Sequence, residues 1–139
     1  MKTQSTRIKY LPKIIVSAIL IQTLWFKFGI GGEAALNESK QIFENVSQGL
    51  FDDKAYEPLL RIGTGLLELT IAILLFTPLS GVGALLGSFV MLSAIASHLL
   101  WLGLTTNNDG GLLVSLAAIV LLCCIKIVFD ERKRIPFLN

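Results

Sequence analysis

The sequence predicts an all-α integral membrane protein, a four-helix bundle running up-down-up-down, with a short amphipathic helix in its outer loop. Three observations predict it: four apolar stretches of membrane-spanning length, a charged fraction of only 16% in a chain that is 53% hydrophobic, and basic residues gathered at both ends. A chain of 139 residues allows a single domain, 1–139. A soluble domain of this size needs far more polar surface, because most of its residues touch water. Lipid is therefore the expected solvent for much of this surface. The net charge of +2 gives no reason to expect a nucleic-acid partner.

Crossing a bilayer takes about 20 mainly apolar residues. The first stretch runs from about Ile14 to Ile30, interrupted by Gln22 and Lys27. The second, about Leu59 to Thr77, carries Glu68 in its middle. The third, about Val82 to Leu102, holds His98 as its one ionisable group, and the fourth, about Gly111 to Phe129, has Lys126 near its last turn. Hydrocarbon offers the backbone no hydrogen bonds, so such runs form helices. They lack the alternation over about 10 residues that barrel strands show.

Orientation follows the lysines and arginines flanking the spans. Lys2, Arg7, Lys9 and Lys13 precede the first span, and Arg132, Lys133 and Arg134 follow the fourth. The long connection between spans one and two is acidic, with Glu33, Glu38, Glu44, Asp52, Asp53 and Glu57 against Lys40 and Lys54. Both termini are expected to be cytoplasmic, and a bacterial inner membrane is the expected location. No cleavable signal peptide is expected, because the first apolar stretch runs on to spanning length.

Short links, Pro78 to Gly81 and about Gly103 to Gly110, make sequential helices neighbours. Gly83, Gly87, Gly111 and Ser115 are expected to let helices approach closely. Between Asn37 and about Phe51, apolar Ile42, Phe43, Val46, Leu50 and Phe51 recur at near-helical spacing. That pattern predicts an amphipathic helix, capped by Asn37 or Ser39, lying on the outer membrane surface or across the bundle mouth. The sequons at Asn37 and Asn45 are expected to stay unused in a bacterial protein. Cys123 and Cys124 are adjacent, with no CxxC or Cys/His spacing, and read as packing residues.

Ionisable groups within spans are functional candidates by default. Lys27, Arg61, Glu68, His98 and Asp109 all fall in the outer half of the expected bundle. Glu68 lies seven residues, about 10 Å, deeper than Arg61 on nearly the same face, with Thr64 and Gly65 between them. Ser93 and Ser97 accompany His98. A structural reading has Lys27 and Arg61 reaching the interface, Asp109 capping span four, Glu68 pairing with Lys27, and Gln22 bonding between helices. A functional reading makes Glu68 and His98 proton partners of a ligand entering from the outer face, for which a quinone head group suits the depth.

Several stretches together resemble the DoxX-like membrane protein family. They are Leu24 to Gly29, Gly63 to Glu68, Ala94 to Leu99, Asn108 to Gly111, and the closing Ile135-Pro136-Phe137-Leu138. The resemblance spans essentially the whole chain and implies a four-helix membrane fold. It also implies links to redox complexes or membrane-protein assembly, and it singles out Lys27, Glu68, His98 and Asp109. No cofactor motif is recognisable. The resulting expectations are an accessory subunit of a larger membrane complex, a respiratory or redox one among the candidates, with other membrane proteins as partners. The alternatives are a quinone-handling protein and a small transporter, the latter disfavoured by the absence of an inverted repeat.

Overall fold

The computed structural model describes residues 2–137, with side chains from Ile8 onward. The expectations placed on the side chains of Lys2 and Arg7, and on Leu138, lie outside the described residues. The chain is all-α, with no strand among those residues. Five helices follow one another: α1 (Lys2–Lys27), α2 (Glu33–Phe51), α3 (Glu57–Leu74), α4 (Ser80–Ser97) and α5 (Leu112–Glu131).

Four long helices form a closed ring in which α1 touches α3 and α5, and α4 touches α3 and α5. Cross-links fix the directions. The end of α1 meets the start of α3 through Arg61 and the Lys27 carbonyl. The start of α1 meets the start of α4 and the end of α5 through Lys13, Ser80 and Glu131. Sequential neighbours are thus antiparallel. The core between them comprises Val16 and Leu20 of α1, Ile71 of α3 with Leu75 just beyond it, Ala84 and Met91 of α4, and Ala117, Val120, Cys124 and Ile127 of α5.

Much of the remaining apolar surface points outward. Ile14, Ile21, Phe89, Leu92, Leu122 and Phe129 are all more than half exposed, a pattern that suggests a membrane environment rather than water. Among the described residues, three segments are long and apolar enough to cross a bilayer: Ile8–Lys27, Ser80–Leu102 and Leu112–Arg134. The helix α3 is not among them. Its 18 residues include Glu57, Arg61 and Glu68.

Small residues set two of the approaches. A Cβ at Gly87 would sit 2.8 Å from Cys124 Sγ and 3.4 Å from an Ile71 methyl, so this glycine brings α3, α4 and α5 together. A Cβ at Gly83 would meet Leu74 at 2.8 Å. Gly111 and Ser115 depart from expectation. Gly111 adopts φ +84° as the residue before α5, a left-handed conformation that favours glycine, and Ser115 is exposed. Gln22 is also exposed rather than bonded between helices. The adjacent cysteines are free thiols, Cys124 fully buried.

The amphipathic segment forms α2, which begins four residues earlier than expected. Gly32, at φ 97°, precedes the helix in place of Asn37 or Ser39. It straps across one end of the bundle, against α1, α3 and the turn after α4. Its inward face buries Ser39, Val46 and Ser47, with Ile42 and Phe43 half-buried. Gly49 lies under the Trp101 ring, which a Cβ there would meet at 2.5 Å. Leu50 and Phe51 stay exposed, Phe51 tilted against Tyr56 with centroids 4.8 Å apart. This end is the strap pole, and the end carrying both termini is the terminal pole.

Candidate functional site

Helical spacing lines up Thr23 and Lys27 on one face of α1, and Glu57, Arg61, Gly65 and Glu68 on one face of α3. These faces meet. Gly65 makes the contact feasible, because a Cβ there would lie 2.8 Å from the Phe28 ring. Lys27 Nζ lies 2.5 Å from Glu68 Oε2 as a buried ion pair. The Thr23 hydroxyl stands 2.8 Å from the same carboxylate oxygen and 2.7 Å from its own helix's Leu20 carbonyl, so its single proton serves one acceptor at a time. The Lys27 ammonium also sits 5.7 Å from the Phe43 ring centroid, where the π face favours a cation.

Higher on the same seam, Arg61 donates from Nε to Glu57 Oε1, and from Nη1 to the Lys27 carbonyl at 2.5 Å. That carbonyl belongs to the last turn of α1, one of the acceptors a helix end leaves without an internal partner. Lys27, Glu57, Arg61 and Glu68 are each no more than 9% exposed. Thr64, expected on this seam, bonds back to the Leu60 carbonyl of its own helix at 2.7 Å.

His98 and Asp109 form a separate cluster at the junction of α4 and α5. After Ser97 the helix widens into a π turn over His98–Leu102, closed by the Gly103 N–H on the His98 carbonyl at 2.8 Å. The buried His98 ring has Nδ1 3.0 Å from the Gly103 carbonyl and 3.3 Å from Thr106 Oγ1. A carbonyl only accepts, which places the proton on Nδ1. Asp109 Oδ1 accepts the N–H groups of Thr106 and Gly111, and Oδ2 that of Leu113. The Leu113 N–H, followed by those of Gly111 and Thr106 and the nearby His98, holds this carboxyl below the usual carboxylate range against the opposing effect of burial. Asp109 therefore caps the start of α5. Ser93 and Ser97 bond back to carbonyls of α4.

No family model, curated protein or solved structure matches this chain.

Hydrogen bonds and ion pairs join Lys27, Arg61 and Glu68, with Glu57 and Thr23 added. Those of His98 and Asp109 form a second network through Thr106. No hydrogen bond or ion pair links Glu68 directly to His98, so a ligand taking protons from both would bridge the two networks. No group of three or more His, Cys, Asp or Glu residues among the described residues could hold a metal ion. Glu57 and Thr23 went unforeseen, although each has a signal: Glu57 precedes Arg61 by four residues and Thr23 precedes Lys27 by four. Lys126, expected at the lipid interface, is exposed and pairs with Asp130 at 2.8 Å.

Proposed function

We propose that this protein is a four-helix integral membrane protein serving as a non-catalytic accessory subunit of a larger membrane complex, a respiratory or redox one among the candidates. The observation carrying this reading is that the polar cluster closes on itself. Each charge in the α1–α3 seam is matched by a group of the same chain, and no buried side-chain nitrogen or oxygen among the described residues lacks a partner. This cluster spends its charges on joining α1 to α3.

The same pairing supports α3 as a fourth span. Glu57 matches Arg61 and Glu68 matches Lys27, so the charges enter hydrocarbon as neutral pairs, the arrangement in which intramembrane ions are tolerated. The opposite face of α3 exposes Ile62, Leu66, Leu69 and Ile73. Lys9, Lys13, Lys126 and Arg132 to Arg134 gather at the terminal pole, while the strap carries the single basic residue Lys40 among Glu33, Glu38 and Glu44. This asymmetry supports cytoplasmic termini, and the bacterial inner membrane remains part of the proposal. Membership of the DoxX-like family belongs to the same proposal, resting on the stretches through Lys27, Glu68, His98 and Asp109.

Extraction of the tagged chain in mild detergent, followed by mass spectrometry of co-purifying proteins and lipophilic molecules, tests this reading. A stoichiometric membrane-protein partner is the expected result. A bare chain carrying a quinone overturns it in favour of a redox site, and solute uptake by liposomes containing this chain alone overturns it in favour of a transporter.

A further inference from the structure

The terminal pole contains a cavity of about 510 Å³ between the start of α1, the end of α3 and the end of α5. Its polar wall is built around Glu131, whose side chain is 2% exposed. Three cations reach that one carboxylate: Lys9 Nζ at 3.2 Å and Lys13 Nζ at 3.4 Å on Oε1, and Arg134 Nη1 at 3.3 Å on Oε2. Lys13 is itself buried and anchored to Ser80 Oγ at 3.0 Å. One negative charge faces three positive ones, leaving this wall with two positive charges in excess. The other wall is the turn Leu75–Pro78, in which Leu75 is fully buried, Thr77 is half-buried and the apolar surface is that of exposed Phe76 and Pro78.

We propose that this cavity binds the phosphate of an anionic membrane lipid. The proposal rests on the membrane reading above. Lys9, Glu131 and Arg134 stand at the ends of the Ile8–Lys27 and Leu112–Arg134 segments, at the height where headgroups meet hydrocarbon. A phosphate supplies the acceptors that the excess ammonium and guanidinium N–H groups call for. The apolar surface of Phe76 and Pro78 distinguishes a lipid from a free anion, because it gives the attached acyl chain a surface to follow out of the cavity. Glu131 keeps the three cations converged when no anion is bound.

The test is native mass spectrometry of the detergent-purified full chain with equimolar phosphatidylglycerol and phosphatidylcholine. The wild type should retain phosphatidylglycerol about tenfold over phosphatidylcholine, and the Lys9→Gln/Arg134→Gln variant should bring the two near parity. Arg132→Gln, which removes a cation of the same turn that does not line the cavity, should change nothing. If the double variant fails to fold, the single variants decide, each expected to lower the preference severalfold. Equal retention of both lipids, an unaltered preference in the folded variants, or an equal loss with Arg132→Gln overturns the proposal. Retention of inorganic phosphate as strong as that of phosphatidylglycerol also overturns it, marking a free-anion site to which the acyl chains add nothing. Recovery of the chain in the soluble fraction without detergent is a different outcome, since it removes the membrane reading itself.

Discussion

At the scale of single residues, the ion pair between Lys27 and Glu68 is the contact whose loss has the sharpest consequence. Glu68→Gln leaves a buried ammonium without its counter-charge, which costs roughly 3–5 kcal/mol. The expected outcome is a large drop in folded protein on denaturant titration in detergent, with most of it recovered by Lys27→Met/Glu68→Leu, which removes both charges and keeps their volume. A variant that folds normally but loses a quinone-dependent activity would reverse the reading of the seam. Asp109 makes a second, pH-dependent prediction. Its folded carboxyl titrates below the ordinary range, so its stabilisation is complete above about pH 4 and disappears as pH falls through the lower folded value. Asp109→Ala should cost about 0.5–2 kcal/mol near neutrality. The gap between wild-type and variant melting temperatures should narrow steadily in acid.

At the scale of elements, helix contacts depend on a few glycines. Gly87→Ala should destabilise by about 1–3 kcal/mol, because the new methyl meets Cys124 Sγ at 2.8 Å. Adding Cys124→Ala should return part of that loss, a coupling that a double-mutant cycle measures. Gly49→Val should lift α2 from Trp101, seen as faster amide exchange across Glu33–Phe51 with little change in α5. Run length and the strap's apolar spacing were enough to read these helices in the sequence. The strap's true start was hidden because Gly31-Gly32 reads as a turn with no capping side chain. The candidate site was half legible for a related reason. Counting residues along a span fixes roughly how deep Lys27, Glu68 and His98 lie, and opposite charge offered the Lys27–Glu68 pairing although Glu68 was placed deeper. Depth says nothing about which way a helix is rotated, so the partners of His98, the Gly103 carbonyl and Thr106, could not be read until the helices were packed.

For the whole molecule, the number of crossings is the decisive quantity. Among the described residues three segments qualify on length and apolarity alone, and α3 joins them only if its charges cross as pairs. Reporter fusions at the two ends separate these cases. With four crossings both termini lie on one face and α2 on the other, whereas three crossings place the termini on opposite faces. The expected outcome is termini together, with a tag in α2 accessible only from the far side.

Arg61 holds the last turn of α1 by its Lys27 carbonyl, and the lysine of that same turn is held by Glu68. If α3 crosses the bilayer as proposed, the lysine and the terminal carbonyl of α1 find their counter-charge and donor on a helix made later in the chain. The seam would then couple the insertion of the two helices, with the strap left outside between them, as well as brace the finished bundle.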